Sequence, residues 1–206
     1  HAGVRTGARR RVRGLMPLGP PERPDSPATV TLVLILVKLL IFVFEITMPN
    51  EPSYFNAGAL SLNKVILTYG IVPDRFHFST LITYMFLHGG FLHIGGNMLF
   101  LWIFGDDVEE AMGRGRFLIF YLACGVIAGL VFTISAPLAA TPLVGASGAI
   151  AGVLAAYLMF RPCEKVAVFL PWFILWLFVR PVVKIDAVWV LGLWILMQFW
   201  AISVQS

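Results

Sequence analysis

Five long apolar segments constrain the fold of this chain more than any other feature. They cover about residues 29–48, 79–104, 117–135, 147–160 and 187–204. The hydrocarbon core of a bilayer is about 30 Å thick, and an α-helix needs about 20 apolar residues to cross it. Since backbone N–H and C=O groups find no partner in lipid, such segments must be helical. The sequence therefore predicts an all-α membrane protein, a polytopic helical bundle with five transmembrane helices.

The charge distribution favours a membrane partner over nucleic acid. Only 13% of the residues are charged, whereas a soluble domain has about 25%. The excess positive charge is concentrated before the first apolar segment, at Arg5, Arg9, Arg10, Arg11, Arg13 and Arg23. By the positive-inside rule, this cluster predicts a cytoplasmic N-terminus. Binding of a basic tail to anionic lipid is a compatible alternative.

We divide the chain into a basic and Pro-rich N-terminal tail, residues 1–28, and a membrane domain, residues 29–206. The first residue is His1, and we expect Met16 to be the natural start, with 1–15 as translated upstream sequence. No cleavage pattern of a signal peptide follows the first apolar segment. The short tail and the lack of a targeting segment favour a multi-pass protein of a bacterial inner membrane.

The connecting segments differ in character. Residues 49–78 mix apolar and polar side chains, which favours an interfacial, partly helical segment. Residues 164–185 include an apolar run that is short for a span, and we interpret them as a cytoplasmic interfacial element or hairpin, with a membrane crossing as the alternative. Residues 105–116 are predicted to form a cytoplasmic loop, and residues 136–146 an outer loop.

Ser147 opens the fourth apolar segment, within Gly145-Ala146-Ser147-Gly148. Small neighbours let backbone groups come close, and the free N–H groups of a first helical turn can stabilise a developing oxyanion. With the N-terminus inside, this end of the fourth helix faces the extracytoplasmic side. Ser147 is therefore the candidate nucleophile.

His93 and Asn97 stand four residues apart on the second segment, so they share one face of a helix. Their N–H groups form a donor pair suited to a carbonyl oxygen that gains charge. The alternative is that both are interhelical hydrogen-bonding residues, each contact worth about 0.6 kcal/mol. A metal site at His88 and His93 is disfavoured, because the i, i+5 spacing sets them about 140° apart. No cofactor or metal is implied.

Four ordered blocks of this sequence resemble the rhomboid family of intramembrane serine proteases. They are residues 69–73 (YGIVP), 86–98 (FLHGGFLHIGGNM), 104–117 (FGDDVEEAMGRGRF) and 145–149 (GASGA). The resemblance implies a six-helix bundle in which Ser147 is the nucleophile. His93, Asn97 and the Ser147 backbone N–H become the oxyanion hole, and His88 acquires a structural role in an interfacial loop.

The resemblance also places a cluster of charges in the family's cytoplasmic turn between the second and third spans. These residues are Glu109, Glu110, Arg114 and Arg116. A solvated charge cluster is the alternative interpretation of this turn, and the two are compatible.

The chain departs from the family at the general base. The resemblance implies a histidine on a sixth span, but no histidine follows His93, and a serine hydroxyl without a base is a poor nucleophile. We expect an inactive fragment of an intramembrane serine endopeptidase that cleaves single-span membrane proteins at or near their transmembrane helices. A catalytically inactive rhomboid-like protein that binds membrane clients is the alternative. A channel or transporter ranks third, because the spans offer little polar lining.

Two further features concern the spans themselves. The pairs Gly125/Gly129 and Gly148/Gly152 have the GxxxG spacing that lets helices pack closely. Lys38 lies near the middle of the first segment, where a charge costs about 2.5–3.5 kcal/mol. The sequence gives Lys38 no function.

Overall fold

The structure is a computed structural model that describes residues 28–48, 64–139, 141–161, 164–169 and 182–205. It is mostly helical, which confirms the predicted fold class. The longer helices are α1 (Thr29–Thr47), α4 (Phe91–Met112), α5 (Arg114–Ser135), α6 (Ser147–Phe160) and α7 (Ala187–Gln205). The shorter elements are α2 (Lys64–Tyr69), a 3-10 turn (Pro73–Arg75), α3 (Thr80–Thr83), a second 3-10 turn (Tyr84–Phe86), β1 (Lys165–Phe169) and β2 (Val182–Asp186). The predicted tail, residues 1–28, lies outside the described residues except for its last one.

Length and hydropathy identify candidate membrane spans within the described residues. Helices α1 and α5 are each long and apolar enough to cross a bilayer, and a bent pair formed by 80–86 and α4 is a third candidate. Helices α6 and α7 are apolar but shorter over their described side chains. The count of five transmembrane helices stays a prediction.

The prediction of one continuous helix over residues 79–104 is wrong. The chain bends by 96° between Thr80–Phe86 and Phe91–Met112. Leu87 has extended backbone angles and ends the 3-10 turn, so helical hydrogen bonding stops at the break, residues 87–90. The adjacent Gly89 and Gly90 explain the break, since each glycine disfavours helix by about 1 kcal/mol relative to alanine. His88, predicted within the span, lies in this break.

The predicted loop 105–116 is also wrong, because α4 continues to Met112 and α5 begins at Arg114. The connection is Gly113, whose φ of 81° lies in the left-handed region that favours glycine. The charges of this segment suggest a loop, but Val108 and Glu109 are buried on one side of the helix. A helix can be charged on one face and buried on the opposite face, and this segment forms such a helix.

The two uncertain connections are partly resolved. The segment 49–78 contains α2 and a 3-10 turn, as expected for a partly helical segment, although its residues 49–63 lie outside the described part. In the segment 164–185, β1 and β2 pair antiparallel from Lys165 opposite Asp186 to Phe169 opposite Val182. This pairing agrees with the predicted hairpin. Residues 170–181 are not described, so a membrane crossing there is untested.

Glycines bring α6 close to α5. A Cβ added to Gly148 would overlap the Cβ of Ala128, and one added to Gly152 would overlap the Sγ of Cys124. In the α5 pair, Gly125 instead faces Met85 of the second 3-10 turn, and Gly129 faces Ile71, Leu81 and Tyr84. Both GxxxG pairs therefore mark positions of close packing, and the α6 pair lies against another long helix.

At the opposite end of α6 from Ser147, charged residues join three helices. Glu109 is buried and accepts hydrogen bonds from the backbone N–H groups of Val30 and Thr31, at 2.9 and 2.7 Å. It therefore caps the N-terminus of α1, where N–H groups lack intrahelical acceptors. Arg161, which follows α6, pairs with Asp107 of α4 at 2.9 Å.

Candidate active site

Ser147 is the first residue of α6, and the apolar run that follows it forms the helix. The residue before it, Ala146, is fully buried, whereas Ser147 is half-buried. Ile150 N–H donates to the Ala146 carbonyl at 2.9 Å and closes the first turn. The earliest N–H groups of a helix have no intrahelical acceptor. The Ser147 N–H therefore points out of the helix end together with its neighbours.

Gly145 places the start of α6 directly against α4. Its φ is +115°, a value that residues other than glycine rarely adopt. A Cβ at this position would lie 2.5 Å from His93 Nε2 and 3.7 Å from Asn97 Nδ2. The structure thus brings His93 and Asn97 close to Gly145, which lies two residues before Ser147 in sequence. The approach is possible because Gly145 has no Cβ.

The two α4 side chains differ in their surroundings. His93 is half-buried, and its Nδ1 accepts a long hydrogen bond of 3.4 Å from the Gly89 N–H. A neutral imidazole with Nδ1 as acceptor carries its proton on Nε2, the atom that faces Gly145. Asn97 is buried, and its Nδ2 has no hydrogen-bond partner in the part of the chain that the structure describes. Buried donors of this kind are rare, and this one lies beside the start of α6.

Tyr84 supports the same region and was missed from sequence. Its carbonyl accepts a hydrogen bond from the Gly145 N–H at 2.9 Å, and its phenol donates to the Gly125 carbonyl at 2.6 Å. Ile71 and Leu143 form an isolated antiparallel bridge with N···O distances of 3.0 and 2.8 Å. The segment before Ser147 is therefore held at two points. The one sequence feature that could have indicated this role is the presence of a hydroxyl group, that of Tyr84, in an apolar segment.

His88 lies beside His93 but faces different partners. Its ring centroid is 5.3 Å from that of His93, in an edge-to-face arrangement, and the residue is 1% exposed. Its backbone N–H donates to Glu45 Oε2 at 3.1 Å. Within the described ranges, no group of three His, Cys, Asp or Glu residues could hold a metal ion.

The chemistry open to this arrangement follows from its donors. Nε2 of His93 and Nδ2 of Asn97 approach the backbone just before a helix N-terminus that carries a serine hydroxyl. Such donors, fixed in a site of low dielectric, stabilise negative charge that develops on an oxygen.

Known proteins share sequence similarity with this chain. The family model of the rhomboid domain matches residues 75–204. The chain is 44% identical over 137 residues to Rhomboid protease GluP of Bacillus subtilis, covering 65% of this chain and 24% of that protein. It is 31% identical over 134 residues to Rhomboid-like protein 11, chloroplastic, of Arabidopsis thaliana, covering 65% and 43%. It is 35% identical over 98 residues to Presenilin-associated rhomboid-like protein, mitochondrial, of Homo sapiens, covering 46% and 26%.

The chain spans less than half the length of each of these relatives. The rhomboid domain and the long apolar helices identify an integral membrane protein. Because the family model covers more than half of its residues, this chain belongs to the rhomboid family.

Proposed function

We propose that the protein is an intramembrane serine endopeptidase with Ser147 as its nucleophile. The observation that supports this most strongly is the approach of His93 and Asn97 to Gly145, two residues before Ser147. In the proposed reaction, Ser147 Oγ attacks the scissile carbonyl carbon, and an acyl-enzyme forms as the amine leaves. Water then hydrolyses the ester and restores the serine. The partial exposure of Ser147 is compatible with the entry of that water.

The oxyanion hole in this proposal consists of His93 Nε2–H, Asn97 Nδ2–H and the Ser147 backbone N–H. Asn97 Nδ2 has no hydrogen-bond partner among the described residues, which supports this role, because no bond to them must break when the oxyanion forms. Loss of one such donor typically lowers kcat by about 10²–10³-fold, or about 2.7–4 kcal/mol.

The general base in this proposal is a histidine on a sixth helix, as the family resemblance implies. The 206 residues contain no histidine after His93. His93 itself is poorly placed to act as the base, since its Nδ1 accepts from Gly89 and its protonated Nε2 faces Gly145. The base would take the Ser147 proton and deliver it to the leaving amine.

The proposed substrates are single-span membrane proteins, cleaved at or near their transmembrane helices. The lipid bilayer is the second partner, and large apolar side chains on α1 and α5 are exposed where lipid would contact them, among them Leu40 and Ile119. The basic tail supports a cytoplasmic N-terminus. One of the relatives is from a bacterium, which supports a bacterial inner membrane, while others are named mitochondrial or chloroplastic.

The test uses the full-length protein in liposomes with a single-span reporter protein. We expect cleavage by the wild type and none by Ser147→Ala. Ser135→Ala is the matched control, since Ser135 is an exposed serine at the end of α5. Equal cleavage by the wild type and Ser147→Ala would remove Ser147 from the mechanism. If the wild type captures the reporter without cutting it, and Ser147→Ala and His93→Ala capture it equally, the protein is a binding-only rhomboid.

A further inference from the structure

Helix α1 buries two ionisable residues on a single face. Its buried residues are Thr31, Leu34, Lys38, Phe42 and Glu45. Lys38 is 0% exposed and Glu45 is 2% exposed. Ionisable side chains inside a membrane are costly and commonly mark functional positions. Neither residue has a part in the proposed chemistry, so their burial requires another reason.

Both side chains reach the chain around the break, residues 87–90. Glu45 Oε2 accepts the hydrogen bond of the His88 N–H at 3.1 Å. Lys38 Nζ lies 4.3 Å from the ring centroid of Phe86, immediately before the break, and 4.9 Å from that of Tyr121 on α5. An ammonium over aromatic faces is attracted by their quadrupoles. Helix α1 thus contacts the chain at Phe86, immediately before the break, and at His88, within the break.

The Lys38 ammonium makes these ring contacts in place of hydrogen bonds. Its Nζ has no hydrogen-bond partner in the residues that the structure describes. A buried polar group in this state destabilises the fold. Residues that violate a rule of stability are expected where function requires them.

The break determines where His93 lies. The Gly89 N–H donates to His93 Nδ1, and the His88 ring packs against the His93 ring at 5.3 Å. Both contacts come from residues of the break, and α4 begins immediately after it at Phe91. A shift of the break would therefore displace and rotate the imidazole.

We propose that Glu45 and Lys38 are positioning residues that fix the break and thereby hold His93 in place for oxyanion stabilisation. This inference rests on the proposed function. Neither residue touches the reacting atoms. Glu45 acts through the backbone N–H of His88 and sets the position of the backbone there. Lys38 acts through the ring of Phe86, and its contact limits the movement of this ring next to the break.

The first experiment compares Glu45→Ala with Glu45→Gln in the full-length protein in liposomes. Glutamine keeps an acceptor oxygen, whereas alanine removes it. We expect Glu45→Ala to lower kcat by about 10–100-fold with little change in KM, because small displacements at a catalytic group have effects of this size. Glu45→Gln should retain most of the activity. Ile46→Ala is the control, as Ile46 is the next residue on α1 and is 52% exposed.

Hydrogen–deuterium exchange of peptides covering residues 86–92 provides a readout that needs no activity. Exchange should accelerate in Glu45→Ala and remain at the wild-type rate in Glu45→Gln. Unchanged exchange in Glu45→Ala, or faster exchange with unchanged kcat, would overturn the proposal. The proposal would also be overturned if Glu45→Ala and Glu45→Gln lost kcat equally and in proportion to their loss of folded protein. If the wild type does not cleave, the proposed function fails, and exchange still decides whether Glu45 holds the break.

The second experiment separates positioning from stability at Lys38. Lys38→Met keeps the length of the side chain and removes the charge. We expect a higher Tm, since a buried amine without a hydrogen-bond partner among the described residues is lost, together with a lower kcat. A residue with a purely structural role would lower Tm instead. Lys64→Met is the control, because Lys64 is exposed on α2. An unchanged kcat, or a fall in Tm that matches the fall in kcat, would overturn the role of Lys38.

Discussion

The N–H of Gly145 donates a hydrogen bond of 2.9 Å to the carbonyl of Tyr84. This bond joins the segment that precedes the proposed nucleophile to the turn that precedes the break. The break in turn leads into α4, which carries His93 and Asn97. The nucleophile and the proposed oxyanion donors therefore share one support, although they are 50 and more residues apart in sequence.

Gly145→Ala should lower activity strongly, with a moderate loss of stability. The φ of +115° disfavours any side chain, at a cost of about 1–3 kcal/mol. The new Cβ would also lie 2.5 Å from His93 Nε2 and displace the imidazole. We expect kcat to fall by about 100-fold or more. The control is Gly95→Ala, where a Cβ meets nothing within 4 Å. Equal activity in the two variants would contradict the contact with His93.

Tyr84→Phe should lower stability by about 1 kcal/mol, the usual net contribution of one hydrogen bond. The variant loses the 2.6 Å bond to the Gly125 carbonyl and keeps the backbone bond to Gly145. Activity at low temperature should therefore stay close to that of the wild type, with a lower Tm. Thermal unfolding in detergent measures the effect. Tyr69→Phe is the control, since Tyr69 is 50% exposed, and an equal Tm shift there would contradict the expectation.

Glu109→Ala should destabilise the fold by about 1–3 kcal/mol, the penalty for leaving buried donors without an acceptor. The N–H groups of Val30 and Thr31 both lose their acceptor at the start of α1. Asp106→Ala tests the same helix at an exposed carboxylate, and it should change Tm little. A Tm for Glu109→Ala as high as that for Asp106→Ala would show that the cap is not important.

Arg161 and Asp107 should be energetically coupled across α6 and α4. Their 2.9 Å contact is largely shielded, with side-chain exposures of 13% and 24%. A double-mutant cycle with alanine at both positions should give a coupling energy of about 1 kcal/mol. The matched cycle with the exposed Arg116 in place of Arg161 should give none. A coupling near zero for Arg161 would contradict a role in holding the two helices together.

Local patterns predicted some elements well, and α6 is the clearest case. An apolar run preceded by small and turn-forming residues placed this helix at 147–160, where it lies. The break at 87–90 was missed because its flanks are as apolar as a continuous span, and only Gly89 and Gly90 indicate it. The segment 105–112 was misassigned because its charges hide a buried helix face that includes Val108.

The long-range contacts that hold the site and the helices in place could not be predicted from the sequence, for a different reason. The bond between Glu45 and His88 joins residues 43 positions apart, and the cap of Thr31 by Glu109 joins residues 78 apart. Such pairs depend on how helices pack, which hydrophobic periodicity does not specify. The roles of Ser147, His93 and Asn97 came from the family resemblance, and they remain predictions about chemistry.

Covalent capture by a fluorophosphonate tests the central claim most directly, because this reagent reacts with activated serines and leaves a stable adduct. The full-length protein is labelled in liposomes, digested and mapped by mass spectrometry. We predict a single labelled serine, Ser147, with labelling slowed by about 10²–10³-fold in His93→Ala or Asn97→Ala, the effect of losing one oxyanion donor. A protein that cleaves its substrate but carries the label at another serine, or in which His93→Ala and Asn97→Ala label Ser147 as fast as the wild type does, would contradict the account.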